Sequence, residues 1–424
     1  MAKVVVVGGG WAGSGAALAA AQAGAEVVLL ERTDMLLGTG LVGGIMRNNG
    51  RFTATEEAIA MGGGKIFQAV DGVARHKNIE FPGHKHATLY DVAKIEPQIR
   101  RLLREEGIEI RLKSRVTDVK MVGPGVIGAV VTEDGEEIEG DVFVEATGTA
   151  GPMGNCKKYG NGCAMCILRC PTFGPRVSIA AKAGVKEFMG QKADGSIGAM
   201  SGSCKLHKES LSKEIVDKLD RDGVVVVPIP GHLRKEGALE MKACQQYALK
   251  EFAENIVLLD TGHAKLMTPF YPLDMLRQIP GFEEARYEDP YAGGIGNSMR
   301  YLAISPRDNC LKVEGMENLF CAGEKAGLLV GHTEAIVTGL LAGHNAVRKT
   351  RGQELLEIPT SLAIGDAIAY VNEQMKTEEG RRKKYTFSGS VYFERMKEKG
   401  LYTTDVEDIR MRVEAAGLTN VFLA

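Results

Sequence analysis

The chain has 424 residues, with 52 Lys and Arg against 54 Asp and Glu, for a formal net charge of −2. That length implies two domains with room for a small third piece, and the near-neutral balance excludes a strong whole-chain attraction to nucleic acid or an anionic membrane. Hydrophobic residues at 44% and charged residues at 25% are ordinary for a globular enzyme, and the 53 glycines form no collagen or linker period, which points to tight turns and close backbone approaches.

The N-terminus, MAKVVVVGGG, enters a strand at once, without the basic and apolar regions of a signal peptide. No uncharged apolar run approaches the ~20 residues of a membrane span. These features predict a cytoplasmic protein with no membrane partner, whose cysteines are normally reduced.

Lys3 to Val7 is an apolar, β-branched run of the kind found in buried parallel strands. It leads into Gly8-Gly9-Gly10-Trp11-Ala12-Gly13, a helical stretch over about Ala12–Ala23 ended by Gly24, and a strand from Glu26 to Leu30. Gly8 suits the tight turn, Gly10 the approach of a pyrophosphate to the backbone, and Gly13 the close packing of helix on strand. The helix N-terminus offers N–H groups to phosphate. Glu31 closes the second strand where a ribose hydroxyl is bound, with Arg32 beside it.

After this strand, LLGTGLVGGIM (36–46) is expected to lie across a cofactor ring, MGGGKIF (61–67) to be a flexible turn, and His84 and His86 to be solvated loop residues rather than a ligand pair. Asp91–Glu106 reads as an amphipathic helix with Ile95, Ile99, Leu102 and Leu103 on one face. A second G-x-G-x-x-G, Gly123 to Gly128, has strands on both sides and no helix after it, so it reads as a turn in an antiparallel β-meander. The meander's last strand, Asp141–Glu145, runs into Ala146-Thr147-Gly148.

The fold expected is α/β: a Rossmann-like dinucleotide domain with a β-meander (1–150 with 291–350), an inserted α+β cap or substrate domain (151–290), and a mostly helical C-terminal segment (351–424). Within the insertion, a charged helix is expected over 205–219, strands over 224–228 and 256–260, and a helix over 238–254. In the tail, Arg381-Arg382-Lys383-Lys384 stands close to Tyr385, Phe387, Tyr392 and Phe393, but flanking glutamates favour a solvated mixed-charge face over a nucleic-acid platform.

GGGWAG at the start, EATGT at 145–149 and NLFCAGE at 318–324 resemble the three FAD-contacting segments of the glutathione-reductase-like flavoproteins. The resemblance implies FAD as cofactor. It places Thr147 and Gly148 in the segment that returns to the cofactor, Gly323 and Glu324 where an acid meets the ribityl chain, and Val116 at a backbone contact to adenine. It also implies that the helix opened by Gly331-His332-Thr333-Glu334 points its N-terminus at the flavin pyrimidine ring. Thr333 is read as the N-cap and His332 as proton donor or anion stabiliser. LRQIPGFEEARYEDPYAGG (276–294) and ENLFCAGEKAGLLVGHTEAIVTGLLAGHNAVR (317–348) look more specifically like the glucose-inhibited division protein A group and its folate-dependent tRNA-uridine methylating relatives. A Lys-Thr-Gly-Thr-Pro-like segment carried by that group is not found, which weighs against a tRNA substrate.

Half of the eight cysteines fall in CKKYGNGCAMCILRC, residues 156–170, followed by Pro171. The spacing C-x6-C-x2-C-x3-C-P at Cys156, Cys163, Cys166 and Cys170 partly matches a bacterial ferredoxin run. A 4Fe–4S cluster ranks first; a redox pair of Cys163 and Cys166, zinc, and buried structural cysteines stay open. Cys204 is a further candidate, as nucleophile or fifth thiol. No second nucleotide motif is visible, so NAD(P)H, if it is the donor, docks at the flavin face transiently.

The preferred reading is an FAD-dependent oxidoreductase with an iron–sulfur or redox-thiol centre beside the flavin. Its partner would be a small-molecule substrate or a redox protein, with nucleic acid disfavoured and an oligomer compatible. The alternatives are a tRNA-modifying flavoprotein, with the flavin as methylene carrier or reductant, and an electron-transfer subunit of a larger complex.

Overall fold

The computed structural model describes residues 1–148, 158, 170–200, 204–234, 249–267, 271–288 and 299–423. Its central sheet has five strands in the order Leu319–Cys321, Val142–Glu145, Lys3–Val7 (β1), Glu26–Glu31 (β2) and Glu109–Leu112, every neighbouring pair parallel. Val4, Val5 and Val6 are completely buried, which is why this strand is a continuous β-branched run rather than an alternating one. In register, Val7 stands beside Leu30 on one side and Glu145 on the other, and Glu145 beside Cys321. The carboxyl ends of four strands therefore share one edge, where open parallel sheets bind ligands.

Helix α1 (Trp11–Gln22) and the long helix His332–Thr350 cross this sheet in close contact. A methyl group added at Gly339 would strike the carbonyl of Ala12, and one at Gly343 that of Ala16. The paired order, 12 with 339 and 16 with 343, means that the two helices run parallel. Their N-termini lie at the same end. Glycine is required at these positions because backbone meets backbone.

The meander is antiparallel, with strands Val116–Gly123, Val126–Thr132 and Glu137–Glu139. The second glycine pattern is its hairpin turn, with Gly125 at φ +69. The insertion carries a four-stranded antiparallel sheet, in the order Cys204–Leu206, Ala264–Leu266, Asn255–Asp260, Val224–Pro228. This sheet has its own core of Leu206, Leu219, Leu258 and Phe282 among others. The C-terminal helices Ala363–Met375, Ser390–Glu398 and Val406–Ala415 bury Ile364, Tyr392 and Val413 in the same core as the central sheet.

Several local expectations are corrected. Within residues 61–67 the chain kinks at Gly62, at φ +98, and the helix Gly64–Gly72 then begins, so the turn is a single kink between helices rather than a flexible stretch. Gly63 lies where a Cβ would strike Leu340, so it serves close packing against the long helix. His84 is 2% exposed in the strand His84–Tyr90, with Asn48 Nδ2 at 3.0 Å from its Nδ1. The charged helix starts at Lys213, capped by Ser212, because residues 204–206 pair as a strand with 264–266. In the tail, Arg382 and Lys383 pair with Glu378 and Glu379, whereas Lys384 is buried on the Gln191 carbonyl. Tyr385, Phe387 and Tyr392 are completely buried and present no face to a base. Residues 235–248, which include part of the helix expected over 238–254, lie outside the described residues. No helix among the described residues is long and apolar enough to cross a membrane.

Candidate functional site

The site forms where β1 gives way to α1. Gly8 has φ +104, and a Cβ there would strike the Ala146 carbonyl; one on Gly13 would enter the Gly8 carbonyl. Gly10 differs from both, since nothing among the described residues lies within 4 Å of its Cβ position, and the same holds for Gly148. Neither Gly10 at the head of α1 nor Gly331 at the head of the long helix supplies a side-chain cap. Two helix N-termini with uncapped first turns thus share one end of the fold, and both offer N–H donors and positive potential.

Charged groups surround this opening. The Glu31 carboxylate accepts from the N–H groups of Gly9 and Thr33, each at 2.8 Å, and so holds the glycine loop. Arg32 donates to the Gly174 carbonyl at 2.5 Å, which ties the segment after the cysteine stretch to the opening. Arg176, from that same segment, feels Arg32, Cys170, Glu31 and Glu324, and its pKa is pushed down to about 10, chiefly by burial and then by Arg32. Glu324 is half-buried, and Gly323, at φ +64, donates its N–H to Thr338 Oγ1 at 2.9 Å. Val116 is buried at the start of the meander. Open space at Gly10 and Gly148, two uncapped helix starts, two arginines and an acid at each end match the needs of an extended dinucleotide such as FAD.

Beneath the opening lies a buried ion cluster that the sequence reading missed. Lys325, 0% exposed, meets Glu187 Oε1 at 2.5 Å, Ser178 Oγ at 3.2 Å and Glu145 Oε1 at 3.5 Å. Burial opposes the Lys325 charge, yet Glu145 and Glu187 hold its pKa above the ordinary value. Glu145 is raised by burial. It also accepts from Thr147 Oγ1 at 2.8 Å and from the Ala180 N–H at 2.9 Å. The cluster fastens the segments 145–148 and 323–325 to residues 178–187. A lysine directly after the acid of NLFCAGEK was the available signal.

At the head of the long helix, Gly331 is the N-cap, which corrects the expectation of Thr333. Thr333 lies inside the first turn, completely buried, because Gly331 at φ +149 adopts a conformation closed to other residues. Glu334, also 0% exposed, receives Arg51 Nε at 3.0 Å on both oxygens and accepts from the Phe387 N–H and Thr386 Oγ1. His332 is half-buried, with its Nδ1 3.2 Å from Tyr90 Oη and its ring near Trp11. The short helix Gly40–Gly43 is held by the insertion: Lys205 Nζ donates to the Leu41 carbonyl at 3.2 Å and Lys265 Nζ to that of Val42 at 2.6 Å. Burial, followed by the Lys205 charge, pushes the Lys265 pKa down to about 7.

Cys204 is completely buried in its strand, with Leu266 opposite, which places it in the insertion rather than at a solvent-facing nucleophile position. Cys156, Cys163 and Cys166 lie outside the described residues. Cys170 is half-buried. Among the described residues no group of three or more His, Cys, Asp or Glu is arranged to hold a metal, so the iron–sulfur expectation gains no support there.

Comparison with known proteins agrees with this geometry. A family described as "Glucose inhibited division protein A" matches residues 3–236 and 261–354. The methylenetetrahydrofolate–tRNA-(uracil-5-)-methyltransferase TrmFO of Bacillus pumilus is 34% identical over 106 residues, which is 24% of this chain and 23% of that protein. The tRNA uridine 5-carboxymethylaminomethyl modification enzyme MnmG of Chlorobaculum tepidum is 32% identical over 139 residues, 32% of this chain and 20% of that one. The chain thus matches about a quarter or less of the length of these relatives. Aquifex aeolicus GidA has the same fold: its form II crystal structure gives a TM-score of 0.70 at 16% identity, over 100% of this chain and 72% of that one. Its form I structure gives 0.62, also at 16% identity, over 98% and 78%. The relatives are named for action on tRNA, which overturns the expectation that nucleic acid is disfavoured as a partner; near-neutral net charge was a poor guide, because it averages over the whole surface. By a family match over most of its length and by its dinucleotide cradle, the chain belongs to the glucose-inhibited division protein A family of FAD-dependent flavoprotein enzymes.

Proposed function

We propose that this chain is a tRNA-modifying flavoprotein that acts on a uridine base. The observation that carries the proposal is the extent of the family match. It runs past the dinucleotide domain into the insertion, through residues 204–234 and 261–288, where a generic FAD fold would give no likeness. The relatives named for tRNA uridine chemistry point the same way. Bound FAD would supply hydride or one-carbon transfer chemistry. NAD(P)H is the electron source proposed.

This chain's own residues supply binding and orientation. The first turns of α1 and of the long helix, with Arg32 and Arg176, would hold the diphosphate and the negatively charged end of the ring. Glu31 and Glu324 would hold hydroxyls. His332 stands at the head of the long helix to exchange a hydrogen bond with a bound ring. Lys205 and Lys265 keep the short helix Gly40–Gly43, whose Gly43 packs on its ring, in place.

The test is nucleoside mass spectrometry on tRNA from cells with and without the gene. Loss of one modified uridine and its return on complementation are expected. Identical nucleoside profiles would remove the proposal. Retention of tRNA at low salt that weakens as salt rises is the matching binding result.

A second reading rests on one observation: Cys170 lies within electrostatic reach of Arg176, which faces the cofactor opening. On this reading the cysteine stretch is a redox centre beside the flavin. Iron and acid-labile sulfide in anaerobically prepared protein support a cluster, and their absence removes it.

A further inference from the structure

The hairpin of strands Ala74–Phe81 and His84–Tyr90 carries three Lys or Arg, three His and one acid, Glu80, in a chain whose formal net charge is −2. Arg75 Nε and His76 Nε2 each lie 2.8 Å from Asp260 Oδ2, which braces the hairpin against the insertion sheet. Lys77 and Lys85 are exposed, and among the described residues neither has an ion-pair partner. The basic run of the tail differs, because Arg382 and Lys383 are each matched to a glutamate.

An aromatic pair stands beside these cations. Strict alternation would bury His86 with His84, yet His84 is buried and His86 only half-buried. The cause is local: His86 has φ +62, and Ala74–Phe81, the edge strand opposite, is broken by three register shifts. Such bulges re-aim side chains. Asn78, at φ +55, places its Oδ1 3.1 Å from His86 Nδ1. The half-buried Phe52 ring lies 5.6 Å from that of His86.

The strand His84–Tyr90 links this face to the site. Tyr90 Oη is 3.2 Å from His332 Nδ1. Four residues at about 3.3 Å each put His86 about 13 Å from Tyr90 along the strand. Asn49 N donates to the Lys85 carbonyl and Lys85 N to Asn49 Oδ1, both at 2.9 Å. Two residues further, Arg51 pairs with Glu334 in the first turn of the long helix. Hydrogen-bonded structure thus fixes the distance from the hairpin face to the opening.

We propose that this face binds the RNA strand flanking the base under modification, with Lys77 and Lys85 on backbone phosphates and the His86–Phe52 pair stacked on an unpaired base. The proposal rests on the tRNA reading and gives that substrate a surface. Unpaired RNA bases stack on aromatic side chains, and single-strand binders join such platforms to a cationic track. A near-neutral chain is no obstacle, since a phosphate at physiological salt senses charges within about 8 Å.

The experiment is fluorescence anisotropy of a labelled, unmodified tRNA transcript with the FAD-loaded full chain over a series of salt concentrations. Lys77→Ala with Lys85→Ala should weaken binding and flatten the plot of log affinity against log salt by about 1.4, at about 0.7 per phosphate of a single strand. His86→Asn keeps a residue that tolerates the left-handed backbone; it should weaken binding about tenfold and leave the slope unchanged. Arg382→Ala with Lys383→Ala is the control and should bind as the wild type does. Circular dichroism and flavin absorbance should match the wild type in every variant. A wild type that binds tRNA, with both hairpin variants equal to it in affinity and slope, overturns the surface and leaves the tRNA reading standing; a hairpin that serves a protein partner gives this result. An equal loss in the control pair also refutes the surface. A wild type that binds no tRNA at any salt overturns the tRNA reading, and the surface with it.

Discussion

Replacing Lys325 with methionine keeps most of the side-chain volume and removes the one ammonium placed between Glu145 and Glu187. Removal of one partner from a buried ion pair costs about 3–5 kcal/mol, because the remaining charge stays out of water. Glu187 bears most of the loss. Its Oε1 keeps the hydroxyls of Ser178 and Ser305, at 2.9 and 2.7 Å, while its Oε2 is buried with no partner among the described residues. Glu145 keeps the Ala180 N–H and the Thr147 hydroxyl, and its pKa is already raised by burial. With the cation gone, the Glu145 carboxyl should rise further. A carboxyl raised in the folded chain holds its proton there after the unfolded chain has lost it. Stability therefore falls as pH climbs from the ordinary carboxylate range through the raised value. The Lys325 contribution is fully present below its unfolded pKa of about 10.4, so across this window the wild type loses less stability than the variant. Urea unfolding in the same excess of FAD should show a deficit of about 3–5 kcal/mol near pH 8 that shrinks near pH 5. Adding Glu187→Gln to Lys325→Met should restore part of it. An equal deficit at both pH values, or a larger one in acid, would refute the assignment of one ammonium to two buried carboxylates.

Arg51→Met should lower stability by about 3–5 kcal/mol, because Glu334 is left 0% exposed without this cation; Arg51→Met with Glu334→Gln should recover part of the loss in the same denaturation assay. Gly343→Leu drives a side chain into the Ala16 backbone, and the two parallel helices must separate; thermal melting should drop and FAD retention with it. Lys265 is lowered to about 7 in the folded chain, so the unfolded chain binds more protons between that value and about 10.4. Wild-type stability should therefore rise relative to Lys265→Met as pH climbs from 7 to 9 in parallel urea series, and a flat difference would count against the buried lysine.

The first dinucleotide half was legible because its signals are local. A β-branched run, glycines at fixed offsets and an acid ending the next strand all fall within the first 31 residues. The run Gly62-Gly63-Gly64 was only half legible: Gly62 turns the chain at φ +98, but Gly63 marks close packing against Leu340, which no local signal reports. Thr333 looked like a cap by residue type, but the chain caps with Gly331, whose φ of +149 no threonine adopts easily. The polar machinery was hidden by sequence distance. Tyr90 and His332 are 242 residues apart, Arg51 and Glu334 283, and Lys325 and Glu187 138. No periodicity reports such pairs; only the fold brings them together.

The most direct test of the account is equilibrium titration of the FAD-free protein with FAD, comparing the wild type with Gly10→Ala. Gly10 has φ −67 and open space around its Cβ position among the described residues, so alanine fits there. Unfolding without FAD should change by no more than about 1 kcal/mol, the lost N-cap preference for glycine offsetting the gain in the unfolded chain. The same methyl stands where a diphosphate must approach the backbone, so FAD affinity should fall at least about tenfold, equivalent to about 1.4 kcal/mol. A wild-type chain that takes up FAD stoichiometrically and a variant that folds equally well but binds it weakly are the results predicted. FAD binding that is absent in the wild type, or identical in the two proteins, would contradict the cradle.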